Sequence, residues 1–325
     1  MATIESTSSM VTDTWKLLVI GGQGGPFTDD VEKVDPNKKS SKCEKPIPYP
    51  TVTYGPTAQA FPDQSILSCG GWHDQKYLKS CYEYNPIHLN WSYVTDMMYE
   101  RRHASSVLLN DNEMWVVGGF PSYLTSEIYD RKTKKFRKVP GAPVGMLLLH
   151  HCMTKLNETH VFIGGGSSID QLNYYDTSYL VDIAKEPFLF HMLPKMEKSR
   201  LGAGCGVIRS DSKNTSSSKE LIIMAGGFDD DNDVPGDVRR DSEIFNIEEN
   251  TWSTGPMIPR GFGFGGSASL GDGSIVLVGG KGEMRYQSDI IRLNPSLMEF
   301  ETMSGKIEIA RKNVGMAVLL DDENC

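Results

Sequence analysis

Six Gly-Gly pairs recur along this chain of 325 residues, and each pair ends a short apolar run. The pairs begin at positions 21, 70, 118, 164, 226 and 279, so successive pairs lie 49, 48, 46, 62 and 53 residues apart. After most pairs come a variable loop, an alternating segment and then a Trp or Phe, as at Trp91, Phe136 and Trp252. Such runs and alternation predict short β-strands. The sequence therefore predicts an all-β fold made of six similar units.

Two further features accompany the glycine pairs. Predicted third strands end in Tyr-Asn or Tyr-Asp, as at Tyr84-Asn85 and Tyr129-Asp130, and an aromatic residue follows downstream. In these features residues 15 to 320 resemble the kelch-repeat β-propeller family. The resemblance implies a six-bladed β-propeller with four antiparallel strands per blade. Glycine suits the paired positions, because it takes positive φ at a sharp turn and leaves room for a neighbouring blade.

The two ends of the chain are expected to complete one blade, whose strands we letter A (innermost) to D (outermost). The chain opens on a predicted B strand at 15 to 22 and closes on a predicted A strand at 313 to 320. Joining the C-terminal strand to the N-terminal blade closes the ring and leaves no free sheet edge. We therefore expect one propeller domain over residues 15–320, with tails at 1–14 and 321–325.

The composition fits one large β domain. The chain is 39% apolar and carries a net charge of −9, which disfavours nonspecific attraction to nucleic acid or anionic membranes. No run approaches the roughly 18 apolar residues that span a bilayer. Residues 1 to 14 are polar rather than signal-like. We therefore expect a cytoplasmic monomer, with secretion as the alternative if a signal peptide has been removed.

Six cysteines and three glycosylation sequons bear on the compartment. Cys69 ends a predicted B strand and Cys81 opens the C strand beside it, so a disulfide between them is geometrically reasonable. Cys152 and Cys205 occupy equivalent places in the A strands of successive blades. The sequons, which would accept glycans in a secreted protein, begin at Asn90, Asn157 and Asn214. Because residues 1 to 14 are not signal-like, we favour free cysteines packed as small hydrophobic side chains.

If the chain follows the resemblance, its ligand site lies on the face formed by the B-to-C and D-to-A loops, around the mouth of the central channel. The B-to-C loops supply Trp72, His73, Phe120, Tyr123, Phe228, Arg285 and Tyr286. The D-to-A connections supply Tyr99, Arg101, Arg102, His103, Arg200, Arg260 and Arg311. Aromatic residues and arginines are enriched at interface hot spots, because they bury large areas and arginine binds carboxylates through two hydrogen bonds.

The arginines permit two interpretations. Arg200, Arg260, Arg311 and one of the pair Arg101-Arg102 recur just before the A strand in four of six blades. They could donate hydrogen bonds to carbonyl groups between blades, a structural role. They could instead bind a partner, since arginines around this mouth receive acidic peptide segments in similar kelch propellers. We predict a protein-binding scaffold for an acidic or polar segment of another protein, with no catalytic residue assigned.

An enzyme or a carbohydrate-binding protein with its site at the channel mouth is the alternative. His103 and His151 lie on or near predicted A strands and could meet across the channel as a general acid and base. The chain has no His-Glu-x-x-His and no Gly-x-Ser-x-Gly motif. Its acidic run at 229–233 starts like a calcium loop but has Val234 where glycine is required. We therefore predict no metal and no cofactor.

Overall fold

The computed structural model of the chain describes residues 15–39, 46–139, 148–168, 173–210, 219–229 and 238–320. Within these ranges every regular element is a β-strand. Five blades have four antiparallel strands each, and the blade that holds both chain ends has three described strands. The predicted six-bladed β-propeller is therefore confirmed.

The strands follow the glycine repeat in chain order. Blade 1 begins with β1 (Trp15–Ile20) and β2 (Val31–Val34). Blade 2 contains β3 (Thr57–Ala60), β4 (Ile66–His73), β5 (Lys76–Asn85) and β6 (Asn90–Asp96). Blade 3 contains β7 (Arg101–Arg102), β8 (Ser105–Asn110), β9 (Glu113–Val117), β10 (Phe120–Pro121), β11 (Ser126–Asp130) and β12 (Lys135–Lys138). Of these, β7 and β10 form a separate two-stranded ladder.

The second half of the ring repeats this order. Blade 4 contains β13 (Cys152–Lys155), β14 (His160–Gly164), β15 (Ser178–Asp182) and β16 (Leu189–Met192). Blade 5 contains β17 (Gly204–Ser210), β18 (Lys219–Ala225), β19 (Ser242–Asn246) and β20 (Thr251–Thr254). Blade 6 contains β21 (Gly266–Ser269), β22 (Ile275–Val278), β23 (Asp289–Asn294) and β24 (Glu299–Lys306). The last strand, β25 (Gly315–Leu320), returns to blade 1.

Strand β25 closes the ring. It pairs antiparallel with β1 over six residues, from Trp15 opposite Leu320 to Ile20 opposite Gly315. It is thus the A strand of blade 1, supplied by the opposite end of the chain. Because both edges of β1 are paired, with β25 and β2, the N-terminal strand presents no free edge.

The glycine pairs directly follow the B strands except in blade 2, where β4 continues through Gly70-Gly71 to His73, and both members of each pair have positive φ. In blade 4 the pair is Gly165-Gly166, one residue later than predicted, because Gly164 still pairs with Cys152 and Ser178 inside the sheet. A Cβ atom on Gly165 would lie 2.5 Å from the Arg200 carbonyl oxygen. The connection to the next blade approaches too closely to leave room for a side chain here.

The hydrophobic core lies between blades rather than within them. All six residues of β1 are buried, so this strand is covered on both of its faces. Trp115 of blade 3 packs against Phe188 of blade 4, with ring centroids 5.0 Å apart. Trp15 of blade 1 shares a buried cluster with Val276 of blade 6. The core therefore continues across the closure, and each blade depends on its neighbours for burial.

The antiparallel order of the strands gives the propeller two distinct faces. The B-to-C loops and the D-to-A connections lie at one end of the strands, which we call the mouth face. The A-to-B and C-to-D turns lie at the other end, which we call the far face. Among the described residues, no helix is long and apolar enough to span a membrane.

The four cysteines of the described strands form two disulfides. Cys69 is bonded to Cys81 across the neighbouring strands β4 and β5. Cys152 is bonded to Cys205 and links the A strands of blades 4 and 5. The interpretation of these four residues as free cysteines is therefore wrong. The repeat register that put Cys152 and Cys205 at equivalent positions also puts them side by side at the channel.

Candidate functional site

Six residues in left-handed backbone conformation form a collar around the channel. Each lies two residues before an innermost strand, with φ between 50° and 72°. The collar residues are Gly55, His103, His150, Gly202, Phe264 and Asn313. At five of the six steps around the ring, the amide of one collar residue donates to the carbonyl of the preceding one, with N···O distances of 2.7–3.0 Å. These hydrogen bonds tie the mouth ends of the blades together.

Four collar residues are not glycine, although positive φ disfavours a residue with a Cβ by about 1–3 kcal/mol. Where the collar residue is glycine, the ring of the following collar residue occupies the space that a Cβ would need. A Cβ on Gly55 would clash with the His103 ring, and one on Gly202 would clash with the Phe264 ring. Backbone strain of this kind concentrates at binding sites. The strained collar residues His103, His150 and Phe264 carry the rings of a candidate binding site.

The collar rings belong to a longer row of rings across the mouth, which we call the aromatic arc. Adjacent ring centroids in the arc lie 4.1–5.1 Å apart. In spatial order the arc consists of Trp72, Phe27, Tyr54, His103, His150, Phe264 and Phe228. Apart from Phe228, its members are partly exposed. The arc is a continuous, largely apolar surface to which every blade contributes at least one ring, including Phe228 from the B-to-C loop of blade 5.

Arg102 lies at one end of the arc. Its side chain is half-buried, its Nε is buried without a hydrogen-bond partner, and no described carboxylate pairs with it. Its guanidinium carbon is 5.4–5.9 Å from the centroids of Tyr54, Trp72, Tyr77 and Phe120. Rings at this distance stabilise a cation through their negative faces. These four rings thus hold the Arg102 side chain in place, while its charge has no carboxylate partner among the described residues.

Two lysines lie at the other end of the arc. Lys281 Nζ is 5.2 Å from the Phe228 centroid, and Lys312 Nζ is 5.7 Å from the centroids of both Phe264 and Tyr286. Burial, and then the charge of Lys281, lowers the pKa of Lys312. Within the described part of the chain neither ammonium group pairs with a carboxylate. An anion bound here would relieve the repulsion between the two lysines.

The two collar histidines are neutral at physiological pH. Burial is the main cause that lowers the pKa of His150 to about 3, and the charge of Arg102 adds to it. Burial likewise holds the pKa of His103 well below its ordinary value. The two rings lie 4.1 Å apart, and protonating either would place a charge among Arg102 and Lys312. They therefore supply flat, uncharged surface, and a base this weak is poorly suited to proton transfer near neutral pH.

The channel beneath the collar is narrow. A cavity of about 100 Å³ is bounded by all six collar residues, and a deeper one of about 150 Å³ is lined by polar groups such as Thr57, Ser105 and Ser106. Pockets for small organic ligands occupy roughly 300–1,000 Å³. A ligand of that size would lie on the aromatic arc rather than inside the channel.

Three of the predicted arginines are buried between blades. Their side chains are completely buried, and the guanidinium–carboxylate distances are 2.7–3.0 Å. The pairs are Arg101–Glu127, Arg200–Glu243 and Arg311–Glu32. Each glutamate also accepts amide hydrogen bonds from the connection that carries its arginine. The pair therefore fastens a D-to-A connection to the C strand of the next blade. Arg200 also donates to the Gly226 carbonyl at 2.8 Å, the kind of bond that the structural interpretation predicted, whereas the glutamate partners were not predicted.

Arg260 differs from these three arginines. Its side chain is 42% exposed and pairs with Asp289. The residue equivalent to Arg200 in this blade is Phe262: its carbonyl accepts from Gly227 at 2.7 Å, as the Arg200 carbonyl accepts from Gly166 at 2.8 Å. Arg260 lies two residues before that position, so it is not part of the repeated set.

The structure brings together only some of the other predicted residues. At or beside the aromatic arc lie Trp72, Arg102, His103, Phe120, Phe228 and Tyr286. Tyr99 lies beneath the buried Arg101, and His73 faces Lys76 in the β4–β5 hairpin. Tyr123 lies on the B-to-C loop of blade 3 and Arg285 on that of blade 6. The histidine that meets His103 is His150 rather than His151, which is buried.

Sequence reasoning missed several residues of the site. They are Phe27, Tyr77, His150, Phe264, Lys281 and Lys312. A signal for the collar is nevertheless present. In three blades the collar residue follows the buried arginine by two positions, as His103 follows Arg101 and Asn313 follows Arg311. Locating the inner strands to within one residue would have found the collar in the other blades.

Comparison with known proteins agrees with this architecture. The family model of the Kelch motif matches residues 60–98, most of blade 2. The chain therefore carries a Kelch motif within a six-bladed β-propeller. A search of curated proteins finds no match. The solved "Structure of YjhT" is similar, with a TM-score of 0.68 and 14% identity over 91% of this chain and 100% of that chain. At this identity the similarity shows the shared fold alone.

Proposed function

We propose that this propeller is a binding module that takes an acidic segment of another protein across its mouth. The observation that carries the proposal is the placement of Arg102, Lys281 and Lys312 at the two ends of the aromatic arc, without carboxylate partners among the described residues. Elsewhere the guanidinium groups of this chain are mostly paired, as in Arg200–Glu243. Cations left uncompensated on a protein of net charge −9 indicate an anionic ligand.

The geometry suggests how such a segment would bind. A carboxylate can accept two hydrogen bonds from Arg102, whose planar group is already held among rings and loses little freedom. A second carboxylate can lie between Lys281 and Lys312. Side chains between the two acidic residues would pack on the His103, His150 and Phe264 rings. An extended chain with acidic residues flanking an apolar or aromatic residue has this chemistry.

The proposal is tested by selecting short peptides from a displayed random library. Wild-type protein is compared with Arg102→Ala/Lys281→Ala/Lys312→Ala. The control, Lys132→Ala/Lys135→Ala/Lys138→Ala, removes the same charge from exposed positions in the outermost strand of blade 3 and the turn before it. Wild type and control should enrich acidic peptides, and affinity should fall more than tenfold per mouth cation, since charge-assisted hydrogen bonds contribute about 1.5–3 kcal/mol. Peptides without acidic residues, or equal binding by the mouth variant, would refute the proposal.

A carbohydrate or another small polar molecule is the second candidate ligand. It is favoured by the partly exposed faces of Trp72, Tyr54 and Phe264, because flat rings also stack on sugars. The neutral histidines make catalysis at this site the weaker alternative. Calorimetric titration of a panel of neutral and acidic sugars separates the candidates. Saturable binding that depends on Trp72 and not on the three cations would favour the neutral carbohydrate.

We further propose that the chain folds in an oxidising compartment. Disulfides persist in secreted proteins and are rare in the cytosol, where thiols are kept reduced. Both bonds join strands that the propeller brings together, Cys69 with Cys81 in one blade and Cys152 with Cys205 between two blades. This supports the secreted alternative over the cytoplasmic expectation. Alkylation in denaturant at lysis, before any oxidation, tests it: these four cysteines, which are buried in the fold, should not react even when the chain is unfolded.

A further inference from the structure

Two of the three sequons lie in exposed turns of the far face. Asn90 is the first residue of β6, in the C-to-D turn of blade 2, and Asn157 lies in the A-to-B turn of blade 4. Both asparagines and both hydroxyl residues, Ser92 and Thr159, are exposed. The third sequon, at Asn214, lies outside the described residues. A glycan needs an acceptor that is free of packing, and these two positions provide it.

The side-chain amide nitrogens of both asparagines are free within the described part of the chain. Asn157 Oδ1 accepts hydrogen bonds from Thr159 N at 2.9 Å and from Thr159 Oγ1 at 3.0 Å. These bonds use only the oxygen of the carboxamide, so Nδ2 has no hydrogen bond among the described residues. Asn90 lies opposite Asn85 at the end of its hairpin, and its side chain makes no hydrogen bond there. A glycan on either Nδ2 therefore breaks no contact of the fold.

Topology keeps both sequons away from the aromatic arc. C-to-D and A-to-B turns lie at the opposite end of the strands from the collar. The strands between, such as β6 with seven residues and β14 with five, separate the two faces by roughly 16–23 Å at about 3.3 Å per residue. Glycans on the far face would thus leave the mouth open to a ligand.

We propose that Asn90 and Asn157 carry N-linked glycans, an inference that rests on the oxidising compartment proposed above. The donor is a polyisoprenyl-pyrophosphate-linked oligosaccharide. Asparagine Nδ2 forms the new bond to the C1 atom of the first sugar, the C1–oxygen bond to the lipid pyrophosphate breaks, and Nδ2 releases one proton. Two independent observations support the assignment: disulfides that report on the compartment and turns that present both acceptors.

The test uses protein purified from cells that express it naturally, with free thiols alkylated in denaturant at lysis. Peptides containing Asn90 and Asn157 are mapped by mass spectrometry before and after peptide N-glycosidase F, which converts each glycosylated asparagine to aspartate. We expect both peptides to lose a glycan and to gain the mass of that conversion. Disulfide peptides containing Cys69–Cys81 and Cys152–Cys205 are measured in the same digest.

The outcomes separate the two proposals. Intact disulfides with both asparagines unmodified would overturn the glycan inference and leave the compartment standing. Alkylated cysteines together with unmodified asparagines would overturn both, and an unmodified peptide at one site overturns the assignment there.

Recombinant secretion in an Asn214→Gln background assigns each glycan. Asn90→Gln and Thr159→Ala should each remove one glycan from the intact mass, whereas Thr159→Ser should retain it. Peptide binding at the mouth should be the same with and without glycans; a change of more than twofold would refute the separation of the faces.

Discussion

Replacing Arg200 by leucine should destabilise the whole propeller, although position alone makes this arginine resemble a ligand-binding residue. Arg200 is fully buried and donates to Glu243 Oε1 at 3.0 Å, to Asp241 Oδ2 at 2.8 Å and to the Gly226 carbonyl at 2.8 Å. Arg200→Leu leaves Glu243, which is 4% exposed, without its cation. Removing one partner of a buried ion pair costs about 3–5 kcal/mol.

The size of the effect can be converted into a melting temperature. An unfolding entropy of about 2.1 cal/mol/K per residue gives roughly 0.7 kcal/mol/K for a chain of this length. The loss from Arg200→Leu then corresponds to a Tm decrease of about 4–7 °C. Arg260→Leu is the matched control, because Arg260 is 42% exposed and its ion pair should contribute less than about 1 kcal/mol.

Thermal and urea unfolding of wild type, Arg200→Leu, Arg260→Leu and Arg200→Leu/Glu243→Leu checks this reasoning. The double variant should recover part of the loss, since it removes the unpaired charge. Recovery is partial because Glu243 also accepts amide hydrogen bonds from Glu197 and Lys198. A Tm for Arg200→Leu within a degree of that for Arg260→Leu would show that the buried pair is not structural.

Three other outcomes are expected. Stability should fall as the pH drops below about 6.5, because the unfolded chain binds a proton at His150 that the folded chain, in which the pKa of His150 is about 3, does not bind. In urea titrations at several pH values, His150→Gly, whose glycine suits the positive φ, should reduce the dependence of the unfolding free energy on pH by at most about 1.4 kcal/mol per pH unit. An unchanged pH dependence would refute this role of His150. Cys205→Ser should lower the free energy of unfolding in urea by about 4 kcal/mol, because it removes the disulfide that joins residues with a sequence separation of 53. If wild-type protein treated with reductant is not destabilised at least as much, the decrease in the variant does not come from the lost disulfide. Gly202→Ala should lower the free energy of unfolding by about 1–3 kcal/mol, because its φ is +66° and its Cβ would clash with the Phe264 ring. Gly271→Ala is the control, because a Cβ there would meet open space and should leave stability nearly unchanged. Equal melting temperatures for the two variants would show that the collar position does not require glycine.

The fold could be predicted from the sequence because its signal is local and repeated. Each B strand and its glycine pair lie within a few residues of each other, as in IVLVGG at 275–280, and six copies reinforce one another. Ring closure followed from the same pattern, since the unmatched A strand at the C terminus had one place to pair. Errors arose where the repeat was locally degenerate: three successive glycines concealed the pair at Gly165, and Arg260 lay two residues from the true equivalent, Phe262.

The site was less predictable, because its members come from separate repeats and are assembled by the ring. Phe27, Tyr54 and His150 belong to different parts of the chain, yet consecutive rings of the arc lie within 5.1 Å. The sequence determined which residue types stand near the mouth. Only the tertiary structure decided that Arg101 and Arg200 turn inward to buried glutamates while Arg102 remains uncompensated among rings. The physical reason is that adjacent residues of a strand point to opposite sides, so one position separates a structural ion pair from a charge available to a ligand.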